Sequence, residues 1–201
     1  MEYKIKRALL SVSDKEGIIP LAGDLYEIRA EMLSTGGTAK AIREAQIPVK
    51  DVSGYTKFPE IMNGRVKTLH PYIHGGLLAL RANQEHMETA EKNGIKMIDL
   101  VAVNLYPFQQ TVANPHVTLE DAIENIDIGG PAMLRSAAKN YKSVIVMCDP
   151  KDYTPVMQEI KETGDVSMKK REELMVKAFE HTENYDRAIA QYLKTRFKQG
   201  E

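Results

Sequence analysis

Two kinds of hydrophobic pattern alternate along the chain: short unbroken apolar runs, and longer stretches with an apolar residue every three or four positions. The short runs predict buried strands, and the longer stretches predict helices with one buried face. The predicted strands are at residues 7–12, 32–33, 49–52, 77–80, 98–105 and 143–148. The predicted helices are at residues 17–28, 39–45, 83–93, 118–126, 131–140, 150–162, 168–182 and 184–197.

Strands that alternate with helices predict an α/β fold, with a mostly parallel sheet in a three-layer arrangement and a helical C-terminal extension over about residues 150–201. Local signals mark some of the helix starts. Thr118 and Asp121 have the spacing of a capping box, and Pro131 suits the first position of its helix. Residues 53–76 are polar and rich in Gly and Pro without a clear period, which predicts a functional loop.

Composition narrows the possible classes of protein. The chain has 201 residues, 43% of them hydrophobic, and no internal repeat, so residues 1–201 are predicted to form one domain. A net charge of −1 argues against non-specific nucleic-acid binding, which needs a basic excess. The single cysteine, Cys148, excludes an internal disulfide and a cysteine zinc site, and favours the cytoplasm. The N-terminus does not resemble a signal peptide, and no apolar run is long enough for a membrane span.

Residues 34–38, with the sequence Ser-Thr-Gly-Gly-Thr, lie between a predicted strand and a predicted helix. Backbone N–H groups at a helix start lack partners, and the helix dipole places partial positive charge behind them. The two glycines allow a ligand to approach the backbone, and the hydroxyls of Ser34, Thr35 and Thr38 add donors. The stretch therefore predicts a phosphate-binding cradle. The alternative is a simple strand–helix turn in which Thr38 caps the helix.

Polar residues follow two other predicted strands at their carboxyl ends. Ser11, Ser13 and Lys15 lie at the end of the first strand, and Asn104 and Tyr106 lie at the end of the central apolar strand. In parallel sheets these ends share one edge, where ligands bind. We therefore expect these residues to lie near the cradle. Lys15 is either a second phosphate contact or a surface lysine at a helix start.

The predicted loop contains two cations and a hydroxyl, from Arg65, Lys67 and Thr68. Such a group can hold an anion and polarise a carbonyl; the alternative is a solvated basic loop. His70 and His74 are four residues apart, but the proline between them argues against a metal site on a helix face. We expect these histidines to be structural and predict no metal.

Asp127 precedes a Gly-Gly pair and a predicted helix. Its carboxylate either caps that helix or faces the amine of a substrate. Lys139 lies near the end of the same helix, where a cation suits the dipole, and local spacing does not show that Lys139 and Asp127 meet. Cys148 lies within an apolar strand and is predicted to be an inert core residue.

Seven segments occur in the same order as in a known family. They are residues 11–15 (SVSDK), 34–40 (STGGTAK), 64–71 (GRVKTLHP), 104–108 (NLYPF), 126–130 (IDIGG), 137–140 (AAKN) and 178–182 (AFEHT). Over roughly residues 7–195 the sequence resembles the IMP cyclohydrolase domain of the PurH family of bifunctional purine-biosynthesis proteins. The resemblance implies a methylglyoxal-synthase-like α/β fold, which agrees with the fold predicted from the hydrophobic pattern.

The sequence departs from the family in two respects. Bifunctional family members continue into a larger transformylase domain, whereas this sequence stops at Glu201. The expectation is a stand-alone cyclohydrolase or an isolated domain of a bifunctional protein, without transformylase activity. Residues 27–31 replace the usual Leu-Gly-containing turn, away from the site motifs.

The resemblance implies an activity and a set of site residues. The implied reaction is the dehydrative ring closure of 5-formamidoimidazole-4-carboxamide ribonucleotide (FAICAR) to IMP, without a cofactor. The implied catalytic residues are Lys67, Tyr106, Asp127 and Lys139. The implied substrate-binding residues are Ser11, Ser13, Asp14, Lys15, Ser34, Thr35, Gly36, Gly37, Thr38, Arg65, Val66, Thr68, Val103, Asn104, Ile128 and Gly129. The implied partners are the nucleotide, a second copy in a homodimer, and possibly a separate transformylase, but neither nucleic acid nor a membrane.

Two other functions would use a similar cradle. A lyase of the methylglyoxal synthase type would act on a triose phosphate and would not need the Arg65–Thr68 segment. A nucleotide-sensing module would need a large attached enzyme and would not need Tyr106, Asp127 and Lys139 together.

Overall fold

The computed structural model describes residues 2–114 and 116–198. Its centre is a five-stranded sheet in which every neighbouring pair is parallel. The strand order is β3-β2-β1-β4-β5. The strands are β1 (Arg7–Val12), β2 (Glu31–Ser34), β3 (Lys50–Asp51), β4 (Leu100–Asn104) and β5 (Ile145–Met147). Strands β1 and β4 are central because their long apolar runs can be buried on both sides.

Helices connect these strands and cover the sheet. They are α1 (Ile18–Glu27), α2 (Gly36–Glu44), α3 (Val52–Thr56), α4 (Pro71–Leu78), α5 (Gln84–Lys92), α6 (Phe108–Val112), α7 (Leu119–Glu124), α8 (Gly129–Lys139), α9 (Tyr153–Thr163) and α10 (Met168–Lys198). Short 3₁₀ turns lie at Met62–Gly64 and Pro150–Asp152. In β1 the successive residues Ala8, Leu9 and Leu10 are all fully buried, so both faces of the sheet are covered. The predicted three-layer α/β fold is confirmed.

The segment between β3 and β4 differs most from the prediction. Residues 77–80 were predicted to be a strand, but α4 runs through Leu78, and Leu80 is exposed. Residues 53–76 are not a structureless loop, since they contain most of α3, a 3₁₀ turn and the start of α4. Pro71 is the first residue of α4, and the His70 ring caps that helix by accepting from the N–H of Tyr72 at 3.1 Å. The proline that suggested a loop therefore begins a helix.

Two helix boundaries also differ. Helix α8 begins at Gly129, so Pro131 is its third residue rather than its first; both positions lie in the first turn, where proline is tolerated. The two C-terminal helices predicted at residues 168–182 and 184–197 are one helix, α10, whose sequence contains no Gly or Pro. The predicted extension is described as far as residue 198. Thr118 is the N-cap of α7, as its position in the predicted capping box requires: its Oγ1 accepts from the N–H of Asp121 at 3.0 Å and donates to the Asp121 carboxylate at 2.7 Å.

Within the described part of the chain, no helix has both the length and the apolar character that a membrane crossing requires.

Candidate active site

A cleft of about 700 Å³ opens beside the carboxyl ends of β1 and β2. The predicted loop forms one wall, and the segment leading into α8 forms another. Among the predicted site residues, those that line the cleft are Ser11, Thr35, Arg65, Val66, Lys67, Thr68, Asp127, Ile128 and Gly129. Four segments that are distant in sequence therefore meet in one cavity, as the parallel topology predicts.

The predicted cradle is the junction between β2 and α2. Thr35 is extended, with φ −132° and ψ 157°, and Gly36 begins the helix with φ +48°, a left-handed conformation that favours glycine. No side chain among the described residues caps this helix. The first-turn N–H groups of α2 thus lack intrahelical partners at the edge of the cleft, which is the geometry of an anion site.

Only one of the three predicted hydroxyl donors in the cradle faces the cleft. The fully buried Ser34 hydroxyl donates to the carbonyl of Leu10 at 2.7 Å. Thr38 Oγ1 donates to the carbonyl of Val12 at 2.9 Å and accepts from its N–H at 3.0 Å. Buried hydroxyl groups are normally hydrogen-bonded. These two bond to the backbone of β1 and so hold the cradle against that strand. Thr35 remains on the cleft side, 3.4 Å from the Ser11 hydroxyl.

Lys15 lies beside the cradle, as predicted. Its ammonium donates to the carbonyl oxygens of Val12 and Ser13, the latter at 3.1 Å. A Cβ added to Gly37 would lie 3.9 Å from Lys15 Cε, so the lysine side chain runs past the glycine pair. Burial lowers the pKa of Lys15, and the charge of Asp14 opposes this effect. A bound phosphate at the cradle would find this cation within reach.

The Asn104 side chain is occupied by the backbone after β1. Its Oδ1 accepts from the N–H groups of Ser13 at 2.6 Å and Asp14 at 3.0 Å, and its Nδ2 donates to the Asp14 carbonyl at 3.1 Å. Asn104 therefore shapes the turn that carries Lys15 instead of offering a free amide. Val103 has only 1% of its surface exposed, so its side chain belongs to the core. Asp14 lines a separate cavity of about 420 Å³ and caps Glu16 N–H at 2.9 Å.

The loop that carries Arg65 and Lys67 is closed by an antiparallel bridge between Ile61 and Val66. The two cations are paired with carboxylates: Arg65 lies 3.3 Å from Glu124, and Lys67 lies 3.3 Å from Glu60. The bridge fixes the ends of the loop, so both cations are presented to the cleft from a defined hairpin. The alternative of a solvated basic loop fits Arg65, whose side chain is 64% exposed, better than Lys67, whose side chain is 36% exposed.

Thr68 joins the loop to the start of α8. It is buried, and a Cβ at Gly129 would lie only 2.7 Å from Thr68 Oγ1, so only glycine permits this approach. His74 lies behind this contact, with its Nδ1 3.0 Å from the Ser136 hydroxyl on α8. Burial lowers the pKa of His74, and the Thr68 carbonyl opposes this effect. The expectation that His70 and His74 are structural agrees with these contacts.

Asp127 both caps α8 and lines the cleft. Its Oδ1 accepts from the N–H of Gly130 at 2.9 Å, and its own N–H donates to the Tyr185 hydroxyl at 2.7 Å. Burial raises the pKa of the Asp127 carboxyl, while the N–H groups of Gly130 and Gly129 act in the opposite direction. The two readings of Asp127, cap and substrate contact, are therefore compatible in one residue.

Two predicted catalytic residues are not among the described residues that line the cleft. Tyr106 follows β4 directly and has 48% of its surface exposed. Lys139 is the last of the 11 residues of α8, so it lies ~15 Å along the helix from Gly129. Within one chain, Lys139 therefore does not reach Asp127. In the described residues there is also no cluster of three His, Cys, Asp or Glu side chains that could hold a metal ion.

Several residues that line the cleft, or that contact its walls from behind, were not predicted from the sequence. The missed lining residues are Met62, Asn63, Gly64, Leu69, Ile123, Glu124, Ile126, Gly130 and Met133. Tyr185 and His181 on α10 were also missed; His181 Nε2 accepts from the Leu105 N–H at 3.4 Å. The AFEHT motif contained His181, but nothing in local spacing showed that α10 crosses behind the site.

Two protein-family models match this chain, one within its first two thirds and one over its last third. A family model described as the MGS-like domain matches residues 17–132, and one described as the AICARFT/IMPCHase bienzyme matches residues 137–201. The bifunctional purine biosynthesis protein PurH of Bacillus subtilis is 57% identical over 189 residues, which cover 94% of this chain and 37% of that protein. PurH of Acetivibrio thermocellus is 52% identical over 197 residues, covering 98% of this chain and 38% of that protein.

The chain thus spans less than two fifths of the length of these relatives. A solved structure titled "Crystal structure of ForH" has a TM-score of 0.81 and 35% sequence identity, covering 92% of this chain and 97% of that one. The first family model alone spans more than half of the chain. The chain therefore belongs to the MGS-like domain family, and its predicted resemblance to the IMP cyclohydrolase domain of the PurH family is confirmed.

Proposed function

We propose that the chain is an IMP cyclohydrolase, which closes the ring of FAICAR to give IMP and water in the last step of de novo purine biosynthesis. The observation that carries the proposal is the single cleft that joins an open helix N-terminus, the Arg65–Thr68 segment and Asp127. This combination offers a phosphate site, cations for a developing oxyanion and a carboxylate for an amide N–H. The 57% sequence identity with PurH of Bacillus subtilis, over 94% of this chain, supports the assignment.

The reacting groups of the substrate belong to one molecule. The carboxamide nitrogen attacks the formyl carbon and loses a proton, and the formyl oxygen finally leaves as water. The enzyme therefore has to hold a reactive rotamer, accept a proton and stabilise the negative charge on the formyl oxygen. No electron is transferred, so the chemistry requires no redox cofactor.

Two of the predicted catalytic groups, Lys67 and Asp127, line the cleft, and each has a separate task. Lys67 donates to the formyl oxygen as it gains negative charge. Asp127 accepts from the carboxamide amine, since its carboxylate lines the cleft at the first turn of α8. Tyr106 is assigned to proton transfer because the family resemblance implies that role; its half-exposed ring follows β4 and is not among the described lining residues.

Binding is assigned to the surrounding residues. The N–H groups of Gly36, Gly37 and Thr38, the Thr35 hydroxyl and Lys15 hold the phosphate. Ser11 lies beside Thr35 and completes this end of the cleft. Arg65, Val66, Thr68, Ile128 and Gly129 face the ribose and base. Ser13, Asp14, Ser34, Val103 and Asn104 act by shaping the walls, as their contacts indicate.

We also propose a cytoplasmic homodimer, acting beside a transformylase activity that supplies the formylated nucleotide. Lys139 can act on a substrate in this cleft only from a second copy, because α8 carries it to the opposite end of the domain. The dimer thus reconciles the sequence assignment of Lys139 with its position.

The direct test is an absorbance assay for purine formation from FAICAR by the purified chain. The same preparation is incubated with a triose phosphate and assayed for methylglyoxal. We expect IMP from the first substrate and no methylglyoxal from the second. Methylglyoxal formation without ring closure would contradict the proposal in favour of a lyase, and binding of IMP with neither reaction would favour a nucleotide sensor.

A further inference from the structure

The hairpin that presents Lys67 contains a carboxylate with no assigned role. Ile61 and Val66 form the bridge that closes this hairpin, with N–H to carbonyl distances of 3.2 and 3.4 Å in the two directions. In an antiparallel pair, the residues one step further out lie opposite each other. These residues are Glu60 and Lys67, so the register itself places an acid opposite the proposed oxyanion donor.

The side chains of this pair are in contact. Glu60 Oε2 lies 3.3 Å from Lys67 Nζ, and the side chains are 41% and 36% exposed. The backbone of Gly64, which has φ +86°, lies against the same end of the lysine side chain. A Cβ at Gly64 would lie 2.8 Å from Lys67 Cε and 3.2 Å from Nζ. The carboxylate and the glycine backbone therefore both contact the end of the lysine side chain, and only glycine leaves room for it there.

Lys67 lines the cleft, whereas Glu60 is not among the described lining residues. The carboxylate thus holds the ammonium from outside the cavity. An ammonium has three N–H donors, and a single contact with Glu60 leaves others for a ligand. The lysine side chain is long and flexible. Without a partner it would have to become ordered in each turnover before the ammonium could contact the oxyanion.

We propose that Glu60 is a positioning residue that fixes the Lys67 ammonium for the formyl oxygen. This inference rests on the proposed cyclohydrolase function. Because the ammonium is needed most when the oxyanion develops, loss of Glu60 should affect turnover more than substrate binding. The pair of Arg65 and Glu124 has a different arrangement: both side chains are more than 60% exposed, and Glu124 itself lines the cleft.

The test compares Glu60→Ala and Glu60→Gln with the parent, using kcat, KM for FAICAR and affinity for IMP. We expect Glu60→Ala to lower kcat roughly ten- to hundredfold, the scale of a misplaced catalytic group, with KM within about threefold. Glu60→Gln keeps the shape and one acceptor oxygen and should lose less. Glu173→Ala, which removes a similarly exposed acid paired with Lys170 on α10, should stay within about twofold of the parent.

A double-mutant cycle separates positioning from a general structural effect. In the Lys67→Ala background, Glu60→Ala should lower kcat by less than about twofold, because its target is already absent. An equal loss in both backgrounds, or parent-like kcat in folded Glu60→Ala, would overturn the inference. If the parent protein itself does not close the ring, the proposed function fails instead, so the two failures are distinguishable.

Discussion

Among the residues that line the cleft, Asp127 is a titratable group whose pKa is changed by folding. Burial raises the pKa of its carboxyl above the ordinary value, despite the contacts with Gly130 and Gly129 N–H groups. Between the unfolded and folded pKa values, the folded protein binds more protons than the unfolded chain. The free energy of unfolding therefore falls as the pH rises through that interval, and the deficit persists at neutral pH.

Because the buried charge of Asp127 lowers the free energy of unfolding, replacing this residue should raise stability while it lowers activity. Asp127→Asn keeps an acceptor for the Gly130 N–H but removes the buried charge. At about pH 7 we expect a higher free energy of unfolding than in the parent, and the difference should shrink in acid, below the usual range for aspartate. Denaturant unfolding at both pH values measures it. A less stable variant at neutral pH would show that the ionised cap outweighs the cost of burial.

Gly37 tests the cradle. A Cβ at this position meets only Lys15 Cε at 3.9 Å, an ordinary contact, so Gly37→Val should fold. Its branched side chain would nevertheless occupy the space where a phosphate approaches the first turn of α2. We expect calorimetry to detect no binding of IMP. Gly23→Val, in open space on α1, is the control and should bind normally; unchanged affinity in Gly37→Val would contradict the cradle.

Some of the residue positions could be predicted from the sequence, and others could not. That Ser11 and Thr35 lie together beside one cleft was predictable, because parallel strands present their carboxyl ends at one edge of the sheet. The hydroxyls of Ser34 and Thr38 were assigned to a ligand, yet they bond to the backbone of β1. Their partners are 24 and 26 residues away in sequence, a separation that no local pattern reveals.

Among the secondary-structure elements, α10 supports two segments of the site from behind. The Tyr185 hydroxyl accepts from the Asp127 N–H, and His181 Nε2 accepts from the N–H of Leu105, next to Tyr106. Burial lowers the pKa of His181, and the charge of Asp149 opposes this effect. His181 is thus held neutral and acts as an acceptor. Protonation would remove that acceptor from the segment after β4.

The lowered pKa gives the stability a defined pH dependence. Below the ordinary histidine pKa the unfolded chain binds more protons than the folded one, so the free energy of unfolding falls as the solution is acidified. We expect a loss between about pH 7 and about pH 5.5 that is smaller in His181→Gln. His74 and the carboxylates are the same in both proteins and cancel in the comparison. An identical loss in both proteins would exclude His181 as a contributor.

Element boundaries were predictable where a local signal decided them. The capping box at Thr118 and the apolar runs of β1 and β4 are such cases. Residues 77–80 were mistaken for a strand because only the first two of them belong to α4, and so short an apolar run displays no helical period. The end of α4 instead packs so closely that a Cβ at Gly76 would lie 2.6 Å from the Lys96 carbonyl oxygen. Tertiary packing, rather than propensity, set this helix.

For the whole molecule, the parallel topology explains why sequence motifs meet in one cleft. It also explains why Lys139 does not, since α8 runs from the cleft to the opposite sheet edge. The proposed homodimer makes a specific prediction. A heterodimer of Asp127→Asn and Lys139→Ala chains, isolated through two different tags, contains one site with both defects and one with neither if Lys139 acts across the interface.

We expect each homodimeric variant to be slow and the isolated heterodimer to recover about half of the parent activity. Activity is measured as IMP formation per chain. A heterodimer as slow as its parents would place Lys139 outside the partner site, and failure to isolate any heterodimer would contradict the dimer.

The central claim is that this cleft performs ring closure with Lys67 stabilising the oxyanion. The most direct measurement is the rate of IMP formation from FAICAR by Lys67→Ala, with IMP affinity determined on the same preparation. We expect a loss of roughly a hundredfold to a thousandfold in kcat, with IMP affinity retained within about threefold. Lys67→Arg should not recover fully, because a planar fork differs from a compact ammonium. A folded Lys67→Ala variant that turns over within a few-fold of the parent would show that Lys67 does not stabilise the oxyanion.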